Sequence, residues 1–237
     1  MTRRTSVPGE AAVDLWLLRT PDLDEDALAR AWRLLDDTER RRAATFATPR
    51  GRARYVAAHL ALRRVLAGYT GVPAEALRLG RAGAVGEGSR PRGRPVLCDA
   101  PAPVHFSLSH SHGVVAVAVA ATEVGADVQR VCSLGTVEAC LARLHPRERA
   151  ELCQVAEADR ARAFSRLWSR KEAYLKALGT GLSRGLAADY LGEADTGAHP
   201  AGWSVRDAPA PPGYAAATAL RGLTPHTVTV RQLPDVS

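Results

Sequence analysis

With 237 residues and 46% hydrophobic content, the chain can bury a sizeable core as one large domain or two small ones. It has no run of about 18–20 apolar residues for a membrane span, no apolar segment after Arg3-Arg4 for a twin-arginine signal, and no C-x-x-C pair among its four cysteines for a zinc site or disulfide framework. A net charge of +7 favours anionic partners without choosing among nucleic acid, membrane surface, phosphorylated cofactor and acidic protein, and the expectation is a soluble, cytoplasmic protein with free thiols.

In chain order, Val13–Leu18 reads as a short strand. Pro21-Asp22 and Asp24 offer starts for a helix over Ala27–Leu35, and Asp37 caps the next, with Arg40, Arg41 and Arg42 on its surface. Tyr55, Val56, Leu60, Leu62 and Leu66 recur at helical spacing within Arg52–Leu66, Gly68 stands near the helix end, and Pro73-Ala-Glu opens a further helix. Glycines and prolines crowd residues 80–95 and predict a loop. Val104–Leu108 is a strand, Val114–Ala121 a strand apolar on both faces, and Val124–Gln129 a third after a tight connection.

Beyond this point helices take over. Val137–Leu144 and Arg147–Cys153 are short and split by Pro146. Ala158–Leu178 is the longest, with Phe164, Leu167, Trp168, Leu175 and Leu178 on or near one stripe and Gly179 at its end. Trp203–Val205, Tyr214–Leu220 and Thr227–Leu233 read as closing strands. Helices followed by paired strands occur in both halves, an α+β pattern, and the YAAATAL run faintly echoes VVAVAVAA.

Three patches carry candidate chemistry. In Val104–Ser111 a strand ends in Ser109-His110-Ser111, where hydroxyls and backbone N–H groups can converge on an anion; a polar turn is the plainer reading, and His110 with His112 makes only a weak metal pair. In Val124–Gln129, Asp127 stands in an apolar strand, which is costly unless the carboxylate is paired or bound to a cation. Gln129 falls on the same face by the period of two, and Asp with a neutral oxygen donor suits Mg²⁺. In Phe164–Lys176, Trp168, Glu172 and Lys176 share one helix face; a surface Glu172–Lys176 ion pair is the plainer reading, although Trp168 argues that the face is partly covered.

In this order, Phe106-Ser-Leu-Ser-His-Ser111, Gly125-Ala-Asp127 and Trp168-Ser-Arg-Lys-Glu172-Ala-Tyr-Leu-Lys176 with Gly179-Thr-Gly181-Leu182 resemble the signature of the 4′-phosphopantetheinyl transferases, specifically the two-lobed monomeric group that activates polyketide, nonribosomal peptide and siderophore assembly lines. Arg54, His59 and Arg63 resemble an R-x₄-H-x₃-R element and Gly93-Arg94-Pro95 a Gly-Lys/Arg-Pro element, so the likeness spans about residues 36–190. It implies an α+β pseudo-dimer: lobes 1–122 and 123–237, each a small antiparallel sheet packed by helices, with the active site at the interface. It further implies transfer of phosphopantetheine from coenzyme A to a serine of an apo acyl or peptidyl carrier protein. Asp127, Glu172 and Gln129 would hold Mg²⁺, with Gln129 acting through its carbonyl oxygen or a water. Ser109, His110, Arg94 and Lys176 would meet the phosphates, Arg42 and Arg54 the 3′-phosphate, and Glu172 or a water it positions would take the serine proton.

Two departures stand out. Gln129 replaces a carboxylate found in many relatives and lowers the site's negative charge by one, and Glu39 stands where some relatives carry a lysine, with Arg40–Arg42 nearby as substitutes. A carrier-binding protein without catalysis and a basic nucleic-acid-binding module are the competing readings; the second lacks a helix-turn-helix, a zinc finger or an aromatic stacking platform. The apolar stretch Val131–Arg149 after the Asp127 strand is the expected docking surface for the carrier.

Overall fold

The computed structural model describes residues 4–20, 25–82, 93–98 and 103–232. The first half contains β1 (Ala12–Arg19), α1 (Glu25–Leu34), α2 (Asp37–Ala44), the 22-residue α3 (Pro49–Thr70), β2 (Arg78–Arg81), β3 (Pro95–Cys98), β4 (His105–Ser111) and β5 (Val114–Ala120). The second contains β6 (Val124–Arg130), α4 (Leu134–Leu141), α5 (Pro146–Gln154), the 22-residue α6 (Glu157–Leu178), β7 (Trp203–Ala208), β8 (Tyr214–Arg221) and β9 (Thr227–Gln232). The protein is a mixed α+β fold of small, mainly antiparallel sheets and helices. Among the described residues no helix is long and apolar enough to cross a membrane.

Local chemistry sets the helix ends. Asp36, not Asp37, caps α2: its carboxylate accepts from the Glu39 N–H at 2.8 Å while Glu39 accepts from the Asp36 N–H at 2.9 Å, so two otherwise orphaned donors are satisfied reciprocally. Thr48 caps α3 and Pro49 occupies its first turn, where its missing N–H costs nothing. The helix runs through Gly68 to Gly71, whose left-handed φ of 73° ends it as Gly179, at 76°, ends α6. Pro73-Ala-Glu yields a single 3-10 turn. The glycine-rich stretch expected as a loop is flanked by two strands, β2 and β3, which pair with each other; residues 83–92 lie outside the described residues.

The strands form a four-stranded sheet in the order β4-β5-β1-β9 and a three-stranded sheet β6-β8-β7, besides the β2-β3 pair. β9 does not pair with the other C-terminal strands. It runs parallel to β1, Ala12 opposite Thr227, so the last strand closes onto the first. Side-chain alternation splits each strand between two cores. Val115, Val117 and Val119 face α1–α3, whereas Val114, Ala116, Ala118 and Ala120 face a layer shared with Ala126, Val128 and Ala216 of the other sheet. Ala217 and Ala219 face away from that layer, toward α4–α6. The two sheets therefore lie back to back through small residues, with helices outside, and β5 is buried on both faces as its composition demands.

One close approach matters for the site. A Cβ on Gly125 of β6 would fall 1.9 Å from the Ala173 carbonyl oxygen and 2.6 Å from the Ala177 nitrogen, so α6 lies directly on β6 only because position 125 has no side chain.

Candidate active site

β4 and β6 belong to different sheets and are joined by side chains. The hydroxyls of Ser107, Ser109 and Ser111, alternate residues on one face of β4, accept from the backbone N–H groups of Ala126, Val128 and Arg130 at 3.0, 3.3 and 3.2 Å. The expected anion-binding turn is therefore a bridge between sheets. The central serine does more: its hydroxyl donates to Asp127 Oδ1 at 2.7 Å. With its only proton on Asp127, one acceptor site on the Val128 amide and only 6% exposure, Ser109 serves the carboxylate and does not open onto solvent.

α6 approaches Asp127 from the other side. Lys176 Nζ lies 2.7 Å from the same Oδ1 and donates to the Ala126 carbonyl at 3.2 Å. Lys176 thus bonds to Asp127 and not to Glu172, so the plain surface-pair reading of this helix face gives way to a contact across 49 residues of sequence. Asp127 Oδ2 is buried without a hydrogen-bond partner, an arrangement that costs free energy unless another group completes it. Glu172 sits one turn before Lys176 and is half-buried. Burial raises its pKa, Lys176 opposes the rise, and the nearby Asp127 charge reinforces it, so the two carboxylates feel each other. Gln129 is half-buried at the end of β6, and its side-chain amide donates to the Arg130 carbonyl at 3.2 Å. Among the described residues no group of three or more acidic, His or Cys side chains is gathered to hold a metal; the two carboxylates are the anionic donors here.

A cleft of about 940 Å³ leads away from Lys176. Its walls include Arg42, Tyr55, His59, Arg81, Arg94 and Thr180. Arg94 reaches Glu123 at 3.2 Å, and its buried Nε has no partner. Arg42 is exposed, with its guanidinium 5.5 Å from the Phe46 ring. Arg54 is half-buried on α3 and does not line the cleft, but its charge reaches His110. His110 points to the face of β4 opposite the serines. Desolvation lowers its pKa, and the charges of His59, Lys176 and Arg54 push the same way against Asp127. Asp127 and Glu172 lie beyond the cleft wall, and Lys176 is the residue common to both.

Glu39 has a structural use. It is 5% exposed, bonds His59 Nδ1 at 2.7 Å and accepts from Arg63 Nε at 2.8 Å. Burial pushes its pKa up, but the bonds to His59 and Arg63 outweigh this and the net shift is downward. A carboxylate at this position thus braces α2 against α3 and orients the His59 ring, which stacks on Tyr55 at 4.1 Å in the cleft wall.

A family model for the 4′-phosphopantetheinyl transferase superfamily matches residues 123–219, the segment that carries Asp127, Glu172 and Lys176. The 4′-phosphopantetheinyl transferase HetI of Nostoc sp. (strain PCC 7120) is 34% identical over 177 residues, which cover 73% of this chain and 70% of that protein. The chain belongs to the 4′-phosphopantetheinyl transferase superfamily. The 4′-phosphopantetheinyl transferase gsp of Aneurinibacillus migulanus is 32% identical over a shorter stretch of 79 residues, 33% of each chain.

In this transferase one signal went unread in the sequence. Of 32 basic residues only Lys171 and Lys176 are lysines, and both lie in the same helix motif. In so arginine-rich a chain a lysine stands out, because a compact ammonium and a planar guanidinium are not interchangeable. Lys171 shows why. Its Nζ donates to the Leu186 and Asp189 carbonyls at 2.7 and 2.8 Å and meets Glu148 at 2.8 Å, three acceptors for three donors. Glu148 in turn accepts from the Leu191 and His145 N–H groups at 2.7 and 3.1 Å. This buried pair anchors the segment that follows the cleft-lining residues Thr180, Gly181 and Ser183.

Proposed function

We propose that the enzyme transfers the 4′-phosphopantetheine group of coenzyme A to a serine of an apo acyl or peptidyl carrier protein, with Mg²⁺, and releases 3′,5′-ADP. The observation that carries this reading is the 2.7 Å bond between Asp127 and Lys176, with Glu172 within electrostatic reach of both, behind the wall of a cleft lined by Lys176, Arg42, Arg81 and Arg94. Basic walls suit a polyanionic cofactor, and the net charge of +7 suits acidic carriers.

The donor set fits Mg²⁺, which takes one or two carboxylates and fills its octahedron with water and substrate phosphates. Asp127 Oδ2, buried and unpartnered, and the Glu172 carboxylate would hold it, with Gln129 adding a carbonyl oxygen or a bridging water. Bound there, the ion would neutralise charge on the diphosphate and polarise it. The protein's own residues position the reactants. Lys176, Arg94 and His110 bind the diphosphate, and Arg42 and Arg54 lie toward the 3′-phosphate. Glu172, held above the usual carboxylate pKa by burial, accepts the serine proton directly or through water, a contribution of about 10²–10⁴-fold. The hydroxyl oxygen then bonds to the β-phosphorus as the bond to the ADP oxygen breaks.

We also propose the two-lobed arrangement, residues 1–122 and 123–237, with activity as a monomer in the cytoplasm and a role in activating polyketide, nonribosomal peptide or siderophore synthases. Its support is the repeated pattern of a 22-residue helix with a left-handed glycine cap packed on a small sheet in each half, with β9 crossing back as a strap. The carrier docks along Val131–Arg149, directly after β6.

Incubating a panel of apo acyl and peptidyl carriers with coenzyme A and Mg²⁺, then weighing them, tests the reading. A gain of one phosphopantetheine is expected, and its loss in Glu172→Gln with circular dichroism unchanged. Carrier bound without any gain in mass would make the protein a binder without catalysis. Near-wild-type turnover in Glu172→Gln would remove Glu172 from its role.

A further inference from the structure

Asp127 is held asymmetrically. Two donors, the Ser109 hydroxyl and the Lys176 ammonium, converge on Oδ1 at 2.7 Å each, and none reaches the buried Oδ2. Ser109 is itself fixed, because the Val128 N–H donates to its oxygen at 3.3 Å and so directs the hydroxyl proton elsewhere. That proton goes to the carboxylate of the residue preceding Val128. The neighbouring serines of the ladder bind amides in the same way, Ser107 that of Ala126 and Ser111 that of Arg130, but neither touches Asp127.

We propose that Ser109 is a positioning residue: by occupying Oδ1 together with Lys176 it fixes the Asp127 carboxylate and leaves Oδ2 as the oxygen presented to a divalent cation. This rests on the reading above that Asp127 and Glu172 hold such a cation. It gives Ser109 a different task from the phosphate contact implied by family resemblance, since the hydroxyl has its only proton on the carboxylate and an acceptor site on a backbone amide. Partners that orient a ligating side chain typically change metal affinity 10–100-fold when removed.

The serine ladder supplies a matched control. Ser109→Ala and Ser111→Ala each delete one hydroxyl-to-amide bridge between β4 and β6; the second also loses a 3.1 Å contact with His112, and only the first removes one of the two donors on Asp127 Oδ1, leaving Lys176 alone there. Mn²⁺ binding to the purified enzyme with coenzyme A is measured by electron paramagnetic resonance, alongside melting temperature. Ser109→Ala should weaken Mn²⁺ binding about 10-fold or more, whereas Ser111→Ala should bind Mn²⁺ like the wild type. Equal Mn²⁺ affinities in the two variants would overturn the proposal and leave Ser109 a structural bridge only. A crystal structure of the wild-type enzyme with Mn²⁺ and coenzyme A, located by anomalous scattering, tests the same point without a variant. The metal belongs on Oδ2 with Ser109 still bonded to Oδ1. A metal on Oδ1, or Ser109 turned to a phosphate oxygen, would refute the assignment. Failure of wild-type enzyme to bind Mn²⁺ at all would instead refute the metal reading on which it rests.

Discussion

Gly125→Ala is the smallest change that tests how the site is assembled. The added Cβ would stand 1.9 Å from the Ala173 carbonyl oxygen, 2.6 Å from the Ala177 nitrogen and 2.9 Å from the Ala173 carbonyl carbon, all backbone atoms of α6 that no rotamer can move. Carbon and carbonyl oxygen pack at about 3.3–3.6 Å, so β6 and α6 must separate by about 1.4 Å at this point. Asp127 lies two residues along β6, and Lys176 lies between Ala173 and Ala177 on α6, so the 2.7 Å bond between them would stretch toward 4 Å, roughly beyond hydrogen-bond range. Overpacking of this kind costs about 1–3 kcal/mol, and a misplacement near 1 Å in a catalytic constellation costs about 10²-fold in rate. The assay is phosphopantetheine transfer to an apo carrier, followed by mass, together with urea denaturation of the same preparation. The expected variant folds with reduced stability and loses transfer by about two orders of magnitude. A Gly125→Ala enzyme with wild-type stability and turnover would show that α6 and β6 do not need this contact, and the structural basis for joining Asp127 to Lys176 would fall.

Two further outcomes follow from buried polar groups. Lys171→Arg keeps the charge but puts a planar fork where three acceptors surround an ammonium; a loss of about 1–3 kcal/mol in urea denaturation is expected, and full stability would make the scarcity of lysine an accident of composition. His226 is fully buried between Ser204 and Thr218, 2.8 Å from each hydroxyl, and burial, with Arg206 adding, pushes its pKa down to about 4. The unfolded chain, with an ordinary imidazole near 6.5, binds the proton more readily, so its stabilising contribution is whole above about pH 6.5 and is lost as pH falls toward about 4, in total about 3 kcal/mol. Denaturation curves across that window should be flatter in His226→Asn, and an unchanged pH slope in the variant would refute the assignment.

Elements with a strong local pattern were legible. The VVAVAVAA run could only be a strand buried on both faces, and the stripe ending at Gly179 described α6 within a residue or two. The charge of Asp127 in an apolar strand marked it as needing a partner, which the structure supplies in Lys176 and Ser109, whereas Glu172 was singled out only by the family resemblance, its helix face alone reading as a surface pair. What stayed hidden depends on distant partners. The pairing of β9 with β1 joins residues from opposite ends of the chain, and nothing in TVTVRQ says parallel or names β1. β2 and β3 were masked by the glycines and prolines between and beside them. The choice of Lys176 for Asp127 over Glu172 is set by the packing of α6 on Gly125, not by helical spacing, and the Ser109 hydroxyl could be aimed only once β6 lay beside β4. Glu39 read as a missing cation because its partners, His59 and Arg63, sit 20 and 24 residues away on another helix.

The geometry around β6 also bears on why the site is built from so many elements. A buried aspartate normally has both oxygens satisfied, because a bare one in a low-dielectric interior costs more than a good partner returns. Here the strand is gripped on one side by three β4 hydroxyls and on the other by the backbone of α6, and between those grips Asp127 is held on one oxygen twice and on the other not at all. A single loop could not hold that imbalance, since it would relax until Oδ2 found water or an amide. Two independent joints oppose that relaxation, so Oδ2 stays buried and without a protein partner. Local rules of polar satisfaction are broken most often where a site must stay open for something else. Gly125 and Ser109, neither of them reactive, are the two contacts through which α6 and β4 hold Asp127 in this state.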